Sequence, residues 1–146
     1  MLLEKNQKIL QYTVVFPLME RHCAELYSVR DGNGRIRLLQ LSSLDVMPAS
    51  SFDERGESNE AVIFRQLRHP GVIRYIDSTE ITLHGKRYVC IVTDYSSAES
   101  VGDKIRREGR ISVYETKNVV RNLLKTLQYL HTRRDPVLHN AITSDS

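Results

Sequence analysis

Hydrophobic and polar positions in the first third of the chain follow the pattern of β-strands. Tyr12–Leu18 and Leu26–Arg30 are rich in β-branched and aromatic residues, and Arg35–Leu41 alternates polar with apolar residues. The segment 31–34, Asp-Gly-Asn-Gly, places two overlapping turn signals between the second and third runs. A turn of this composition between two such runs predicts a β-hairpin.

A second hairpin is predicted around residues 84–86, between the runs 81–83 and 88–92. The run 88–92 is apolar throughout, which is typical of a strand buried on both faces. Cys90 lies in its middle and is therefore interpreted as a packing residue. Cys23 is the other thiol, and without a CxxC spacing the two favour a reduced, cytoplasmic setting.

A helix is predicted between these two hairpins. Ser50 or Ser51 is its expected cap, and the acidic residues that follow favour the positive end of the helix dipole. The segment 69–71, His-Pro-Gly, is expected to end it. Its predicted buried stripe comprises Val62, Ile63 and Leu67.

The last third of the chain is predicted to be helical. A short helix over Val101–Glu108 is closed by Gly109, and Ser112 begins a Ser-x-x-Glu capping box for a helix that runs to about His131. The apolar stripe of this last helix comprises Val120, Leu123, Leu124, Leu127 and Leu130. Burial of a large apolar side chain is worth about 1.5–3 kcal/mol, so we expect a cover for the stripe. The expected covers are a second copy of the chain, giving a homodimer, or the strand-rich part of the same chain.

Composition and charge exclude several classes of protein. The chain has 146 residues, 40% of them hydrophobic, and a net charge of +3, which suits one domain or two small lobes. Its basic pairs are short and lack interleaved aromatic residues, so no nucleic-acid partner is expected. No apolar run approaches the length of a membrane span or of a secretory signal, so no membrane contact is expected. The five histidines have no carboxylate or cysteine at metal-ligand spacing, so no metal site is predicted.

Four segments, in order along the chain, resemble eukaryotic-type protein kinases. Residues 60–75 are similar to the family's αC helix and its approach to the next strand, and 91–95 to the strand that enters the hinge between lobes. Residues 100–109 are similar to the family's αD segment, and 127–140 to the end of its αE helix and the start of the catalytic loop. The resemblance covers residues 12–146.

The resemblance implies an α+β fold. Residues 1–95 are expected to form a kinase-like N-lobe, a five-stranded antiparallel sheet with the αC helix. Residues 96–146 are expected to form the hinge and the first helices of the C-lobe, truncated at the catalytic loop. The family's metal-binding D-F-G segment and activation loop have no counterpart in this sequence.

Several positions of the family's nucleotide site carry different residues here. The glycine positions of the nucleotide loop hold Met19, Arg21 and Ala24, whose side chains would crowd the phosphates. Gln40 stands at the position of the lysine that pairs with the αC glutamate, and Glu60 matches that glutamate. We predict a hydrogen bond between Gln40 and Glu60 that holds the helix in place; an exposed Glu60 without this contact is the alternative.

The catalytic loop departs further from the family pattern. Ala141 stands at the position of the catalytic base and Ser146 at that of the metal-binding Asn. Asp145 is near but belongs to the back of the loop, and His139 is interpreted as the family's structural histidine, buried under the loop. The sequence therefore predicts no catalytic residue and no bound metal.

These departures favour a catalytically inactive, pseudokinase module without a cofactor. It is expected to be a regulatory or interaction part of a larger protein, with a protein partner or downstream domains of the same polypeptide. The alternative is an atypical Ser/Thr-type protein kinase or a nucleotide-binding sensor that takes ATP and Mg²⁺. Under that alternative the hinge-like residues offer backbone groups to an adenine; they are Thr93, Asp94, Tyr95 and Ser96.

Overall fold

The computed structural model describes residues 1–21, 23–139 and 142–144. The chain forms two compact units. The first comprises Met1–Leu67 and Ile73–Tyr95, and the second comprises Arg68–Val72 and Ser96–Ser146.

The first unit is built on one antiparallel sheet in the order β1-β2-β3-β4-β6-β5. Its strands are β1 (Lys8–Ile9), β2 (Tyr12–Glu20), β3 (Ala24–Arg30), β4 (Ile36–Ser43), β5 (Tyr75–Leu83) and β6 (Lys86–Asp94). The five predicted strands are confirmed, together with the kinase-like α+β fold. The two-residue β1 was not predicted, because it forms only where a tight turn with Leu10 at φ 53° folds the chain back onto β2.

Both predicted hairpins are present. The Asp31 side chain accepts hydrogen bonds from the backbone N–H groups of Asn33 and Arg35, both at 2.9 Å, which fixes the turn between β3 and β4. At the β5–β6 turn His84 and Gly85 both have positive φ, 50° and 75°. A two-residue turn with both φ values positive matches the twist of the strands that it joins.

The sheet buries apolar side chains on both faces. Strand β6 is buried along Tyr88–Val92 as predicted, with Cys90 only 1% exposed. The larger core, on one face, contains Tyr12, Val14, Tyr27, Val29, Leu39, Leu41, Tyr88, Cys90 and Val92, with Leu3 and Ile9 from the N-terminal segment. The smaller core, on the other face, contains Leu44, Ala61, Val89 and Ile91.

The helix of the first unit is α1 (Asn59–Gln66), and it begins later than the sequence pattern indicated. Its N-cap is Ser58, so the predicted caps Ser50 and Ser51 are wrong; these two residues lie in a short 3-10 turn. The acidic segment 53–57 forms a tight turn instead of a helical one. The Asp53 side chain accepts hydrogen bonds from the backbone N–H groups of Arg55 and Glu57, and this local bonding competes with helix formation.

The predicted buried stripe of this helix is confirmed in part, because Leu67 is 7% exposed and Val62 is half-buried. Ala61 is 1% exposed and packs against the sheet, whereas Ile63 is 38% exposed. Ala61 packs with Leu44, Val89 and Ile91 in the smaller core. The helix therefore rests on the sheet through Ala61 and not through the predicted isoleucine.

The second unit contains α2 (Val101–Glu108) and α3 (Val113–His131), with the predicted ends. Gly109 has φ 78° and closes α2, and the capping box of Ser112 and Glu115 opens α3. In the apolar stripe of α3, Leu130 is buried and Leu127 half-buried, while Val120, Leu123 and Leu124 are exposed. No helix in the described part of the chain is long and apolar enough to cross a membrane.

Candidate functional site

The predicted contact between Gln40 and Glu60 is present in the first unit. The Gln40 side-chain amide donates a hydrogen bond from Nε2 to Glu60 Oε2 at 2.8 Å. The same nitrogen donates to the Ser42 hydroxyl oxygen at 3.2 Å. Both donors of the amide are thus used within the protein, and both residues are half-buried.

The alternation of β4 explains why Gln40 meets the helix. Leu39 and Leu41 point into the larger core, so Gln40 between them points to the opposite face of the sheet, where α1 lies. Glu60 is the second residue of α1 and precedes the buried Ala61. The packing of Ala61 on the sheet therefore brings the carboxylate within reach of the amide.

Gln40 is surrounded by apolar neighbours across the strands. It lies opposite Leu26 of β3 and Ile91 of β6, and Leu38 lies opposite Thr93 of β6. We call the surface formed by Leu26, Leu38, Gln40, Ile91 and Thr93 the α1 face of the sheet. It combines an apolar lining with one carboxylate–amide pair.

The predicted nucleotide-loop positions lie at the connection of β2 and β3. The backbone N–H of Arg21 donates to the Ala24 carbonyl oxygen at 2.7 Å, which closes a tight turn. Arg21 and Met19 are exposed, and Arg21 Nε donates to Met19 Sδ at 3.4 Å. In the described part of this connection, the guanidinium of Arg21 is therefore accessible to solvent at the end of a flexible side chain.

The hinge-like residues of the first unit are fixed by an ion-pair network that the sequence analysis missed. Thr93 is buried, and the Asp94 carboxylate accepts from the Arg37 guanidinium and, at 2.9 Å, from Arg74 Nε. Arg37 Nε also donates to Asp31 Oδ2 at 3.1 Å. The available signal in the sequence was an arginine, Arg37, three residues after a turn that begins with Asp31.

The predicted catalytic-loop residues lie mostly outside the described part of the chain. Ala141, Asp145 and Ser146 are in the undescribed positions. His139 is exposed, so the prediction that it is buried under the loop is wrong.

Metal ligands and reactive thiols give little additional chemistry. Within residues 1–21, 23–139 and 142–144, no group of three or more His, Cys, Asp or Glu residues is arranged to hold a metal ion. Burial raises the pKa of the Cys90 thiol to about 12, so this thiol stays protonated. Cys23 is half-buried and unpaired by disulfide.

Comparison with known proteins assigns the chain to a family. A family model described as "Protein kinase domain" matches residues 44–143. The chain is similar to the serine/threonine-protein kinase WNK of Caenorhabditis elegans, with 34% identity over 110 residues, 74% of this chain and 6% of that protein. It is also similar to the serine/threonine-protein kinase WNK3 of Mus musculus, with 32% identity over 87 residues, 60% of this chain and 5% of that protein.

Human WNK2, a serine/threonine-protein kinase, gives 29% identity over 87 residues, 60% of this chain and 4% of that protein. Because the family match spans more than half of the chain, the chain belongs to the protein kinase domain family. It spans about one twentieth of the length of the curated relatives that it matches.

Two expectations are corrected by these comparisons. The prediction that the chain is not an enzyme is wrong, because the chain belongs to an enzyme family whose relatives are serine/threonine protein kinases. The prediction of no cofactor is wrong for the same reason, because protein kinases take ATP with Mg²⁺. Both predictions rested on residue differences at single positions of the family's nucleotide site and catalytic loop.

Proposed function

We propose that this chain is the nucleotide-facing part of an atypical serine/threonine-type protein kinase that takes ATP with Mg²⁺. The observation that carries the proposal is the hydrogen bond from Gln40 to Glu60. In protein kinases a lysine on the corresponding strand must pair with the glutamate of the helix before the site is competent. Here the neutral amide anchors the helix, so α1 is held against the sheet without an ammonium group.

The α1 face supports the binding of the nucleoside. The half-buried Leu26 and Leu38 offer apolar surface to an aromatic ring, and the buried Thr93 lies at the end of the face. ATP supplies the phosphoryl group when bound. The residues of this face orient the base and exclude water from it.

The phosphates require a cation from elsewhere in the first unit. Both N–H groups of Gln40 are directed to Glu60 and Ser42, so Gln40 has no free donor in this arrangement. Arg21 occupies the second glycine position of the nucleotide loop and is exposed. We assign Arg21 the role of neutralising phosphate charge, which an arginine does through two parallel hydrogen bonds.

Binding of Mg²⁺ does not require a preformed set of protein ligands. The ion prefers oxygen ligands, keeps several waters and commonly binds through substrate phosphates. It would therefore enter with the nucleotide. The free thiols of Cys23 and Cys90 support a reducing, cytoplasmic setting for this chemistry.

A thermal-shift titration of the 146-residue chain with ATP, with and without MgCl₂, tests the proposal. We expect a rise in melting temperature that requires both, since a ligand that binds only the folded state stabilises it. Arg21→Met should raise the ATP concentration needed for the same rise in melting temperature about tenfold. The matched control Arg35→Met, also in an exposed turn, should not change that concentration.

Phosphoryl transfer is tested on a longer polypeptide that contains this chain. Transfer of radiolabel from ATP to a serine/threonine substrate supports the kinase. An ATP shift without magnesium dependence and without transfer would identify a nucleotide sensor instead. Absence of any ATP-dependent shift would contradict the proposal.

A further inference from the structure

Arg37 is a buried cation that bridges two carboxylates. Its side chain is 11% exposed and bonds to Asp31 Oδ2 at 3.1 Å through Nε and to the Asp94 carboxylate through a terminal nitrogen. A charge removed from water to this degree is stable only when it is paired, and two partners satisfy separate edges of the guanidinium plane. Arg37 therefore ties the β3–β4 turn to the end of β6.

The turn end of this bridge is rigid. Asp31 accepts hydrogen bonds from two backbone N–H groups through Oδ1, and its own N–H donates to the Arg35 carbonyl at 2.9 Å. The Arg35 N–H, and next to it the Arg37 guanidinium, hold the pKa of the Asp31 carboxyl below its usual value. Asp31 is thus a carboxylate held in place by the turn, and it forms an ion pair with Arg37.

The other end of the bridge is the hinge-like segment. Asp94 is the last residue of β6 and lies opposite Arg37 in the β4–β6 register. Its backbone N–H donates to the Arg74 carbonyl at 2.9 Å, and its carboxylate also accepts from Arg74 Nε at 2.9 Å. Asp94 is therefore held at the end of β6 by both Arg37 and Arg74.

Arg37 acts from the side of the sheet that a nucleotide would not touch. It is three residues before Gln40 on β4, so its side chain points away from the α1 face, and its β3 neighbour Val29 belongs to the larger core. The ion pair between Arg37 and Asp94 links this side of the sheet to the hinge-like backbone.

We propose that Arg37 is a positioning residue that orients the Asp94 carbonyl and the Tyr95 backbone for recognition of the adenine edge. The inference rests on the proposed ATP site and adds Arg37 as the residue that sets the base specificity of that site. Hydrogen bonds to a base edge discriminate strongly only when the groups that make them are held in place. Loss of Arg37 should therefore reduce discrimination between bases more than it reduces binding of the shared triphosphate.

The test compares the affinities of Mg-ATP and Mg-GTP for the unsubstituted chain, Arg37→Met and Arg37→Lys, with Arg35→Met as the matched control. We expect Arg37→Met to lower the preference for ATP about five- to tenfold, the equivalent of one hydrogen bond. Arg37→Lys should recover part of it, because an ammonium group binds one carboxylate well but does not span two. An equal loss for both nucleotides, or no loss, overturns the inference.

Hydrogen exchange separates this inference from the proposed function. We expect the Asp94 amide to exchange at least tenfold faster in Arg37→Met than in Arg35→Met, with the β5–β6 turn amides unchanged. This measurement does not depend on ATP binding. If the chain binds no ATP but the Asp94 amide exchanges faster in Arg37→Met, the proposed function is contradicted and the positioning of Asp94 by Arg37 is supported. Unchanged Asp94 exchange overturns the positioning role, and Asp94→Asn provides a second, milder variant if Arg37→Met fails to fold.

Discussion

The imidazole ring of His69 stacks on the phenol ring of Tyr129, with ring centroids 4.9 Å apart and planes inclined by 19°. Tyr129 lies on α3, and its hydroxyl oxygen accepts from the Arg68 backbone N–H at 2.8 Å and from the Arg133 guanidinium at 3.0 Å. These contacts hold the segment 68–72 to α3. They explain why this short segment, which follows α1 in the chain, belongs to the second unit.

Removal of the Tyr129 hydroxyl separates its hydrogen bonds from ring stacking. Tyr129→Phe should lower the free energy of unfolding by about 1–2 kcal/mol, because two hydrogen bonds are lost and one leaves a backbone donor without its partner. Tyr129→Leu should cost about 0.5–1.5 kcal/mol more through loss of the aromatic stack. Urea denaturation measures both, and Tyr114→Phe, at a 75% exposed position, is the control. Equal effects at positions 114 and 129 would contradict the assignment.

Gly71 is required because of its close approach to α3. A Cβ added at this position would lie 1.9 Å from Thr126 Oγ1 and 3.1 Å from Thr126 Cβ. Gly71→Ala should therefore destabilise the second unit by about 1–3 kcal/mol. Gly32→Ala is the matched control, since nothing lies within 4 Å of a Cβ there.

A double variant tests whether the clash with Thr126 is the cause. Addition of Thr126→Ala to Gly71→Ala should recover part of the lost stability in thermal unfolding, since it removes the nearer of the two clashing atoms. A Gly71→Ala variant as stable as Gly32→Ala would show that the segment has room to move.

The ion pair of Lys104 and Glu115 gives the second unit a dependence on pH. The Lys104 ammonium, and next to it the Ser112 hydroxyl and backbone N–H, lower the pKa of Glu115 to about 2. A depressed pKa in the folded state means that the stabilisation is complete above the ordinary carboxyl pKa and is lost as the pH falls towards 2. Glu115→Gln should lower the melting temperature at pH 7 and have a smaller effect at pH 3. A difference that is the same at both pH values would rule out this role of the charge; Glu54→Gln, an exposed acidic residue, controls for net charge.

The homodimer expected from the stripe on α3 stays a prediction. Val120, Leu123 and Leu124 are exposed, and Lys117 and Arg121 border the groove that contains Val120 and Leu124. Two copies paired through this groove would bring like charges together, so salt should strengthen association by screening them.

Light scattering of the 146-residue chain at low and high salt measures this association. We expect a larger dimer fraction at 0.5 M NaCl than at 0.05 M and a monomer for Leu124→Glu. A monomer under both conditions for the unsubstituted chain would refute the dimer.

The parts of the fold that depend on local chemistry were predictable from the sequence. The ends of α2 and α3 follow from Gly109 and from the capping box at Ser112, which act within one turn of the helix. The start of α1 was not predictable in this way. The side chain of Asp53 accepts hydrogen bonds from nearby backbone N–H groups, and this stops the helix from extending towards the N-terminus. Local competition of this kind leaves little trace in hydrophobic periodicity.

The candidate site was predictable only in part. The Gln40–Glu60 contact follows from family register, since one residue on β4 and one on the helix occupy matched positions. The bridge from Arg37 to Asp94 joins residues 57 positions apart in the chain, and the sequence does not indicate that they are neighbours in the sheet. The enzyme class was missed because the sequence was compared with the family's motifs one position at a time, whereas its relatives are serine/threonine-protein kinases.

The central claim is that the Gln40 amide acts through Glu60 to hold the helix for nucleotide binding. A double-mutant cycle on Mg-ATP affinity, with Gln40→Leu, Glu60→Ala and the double variant, tests it most directly. The account predicts that each single variant weakens binding and that the double variant is no weaker than the worse single one. Additive losses, or single variants that bind Mg-ATP as well as the unsubstituted chain, would contradict it.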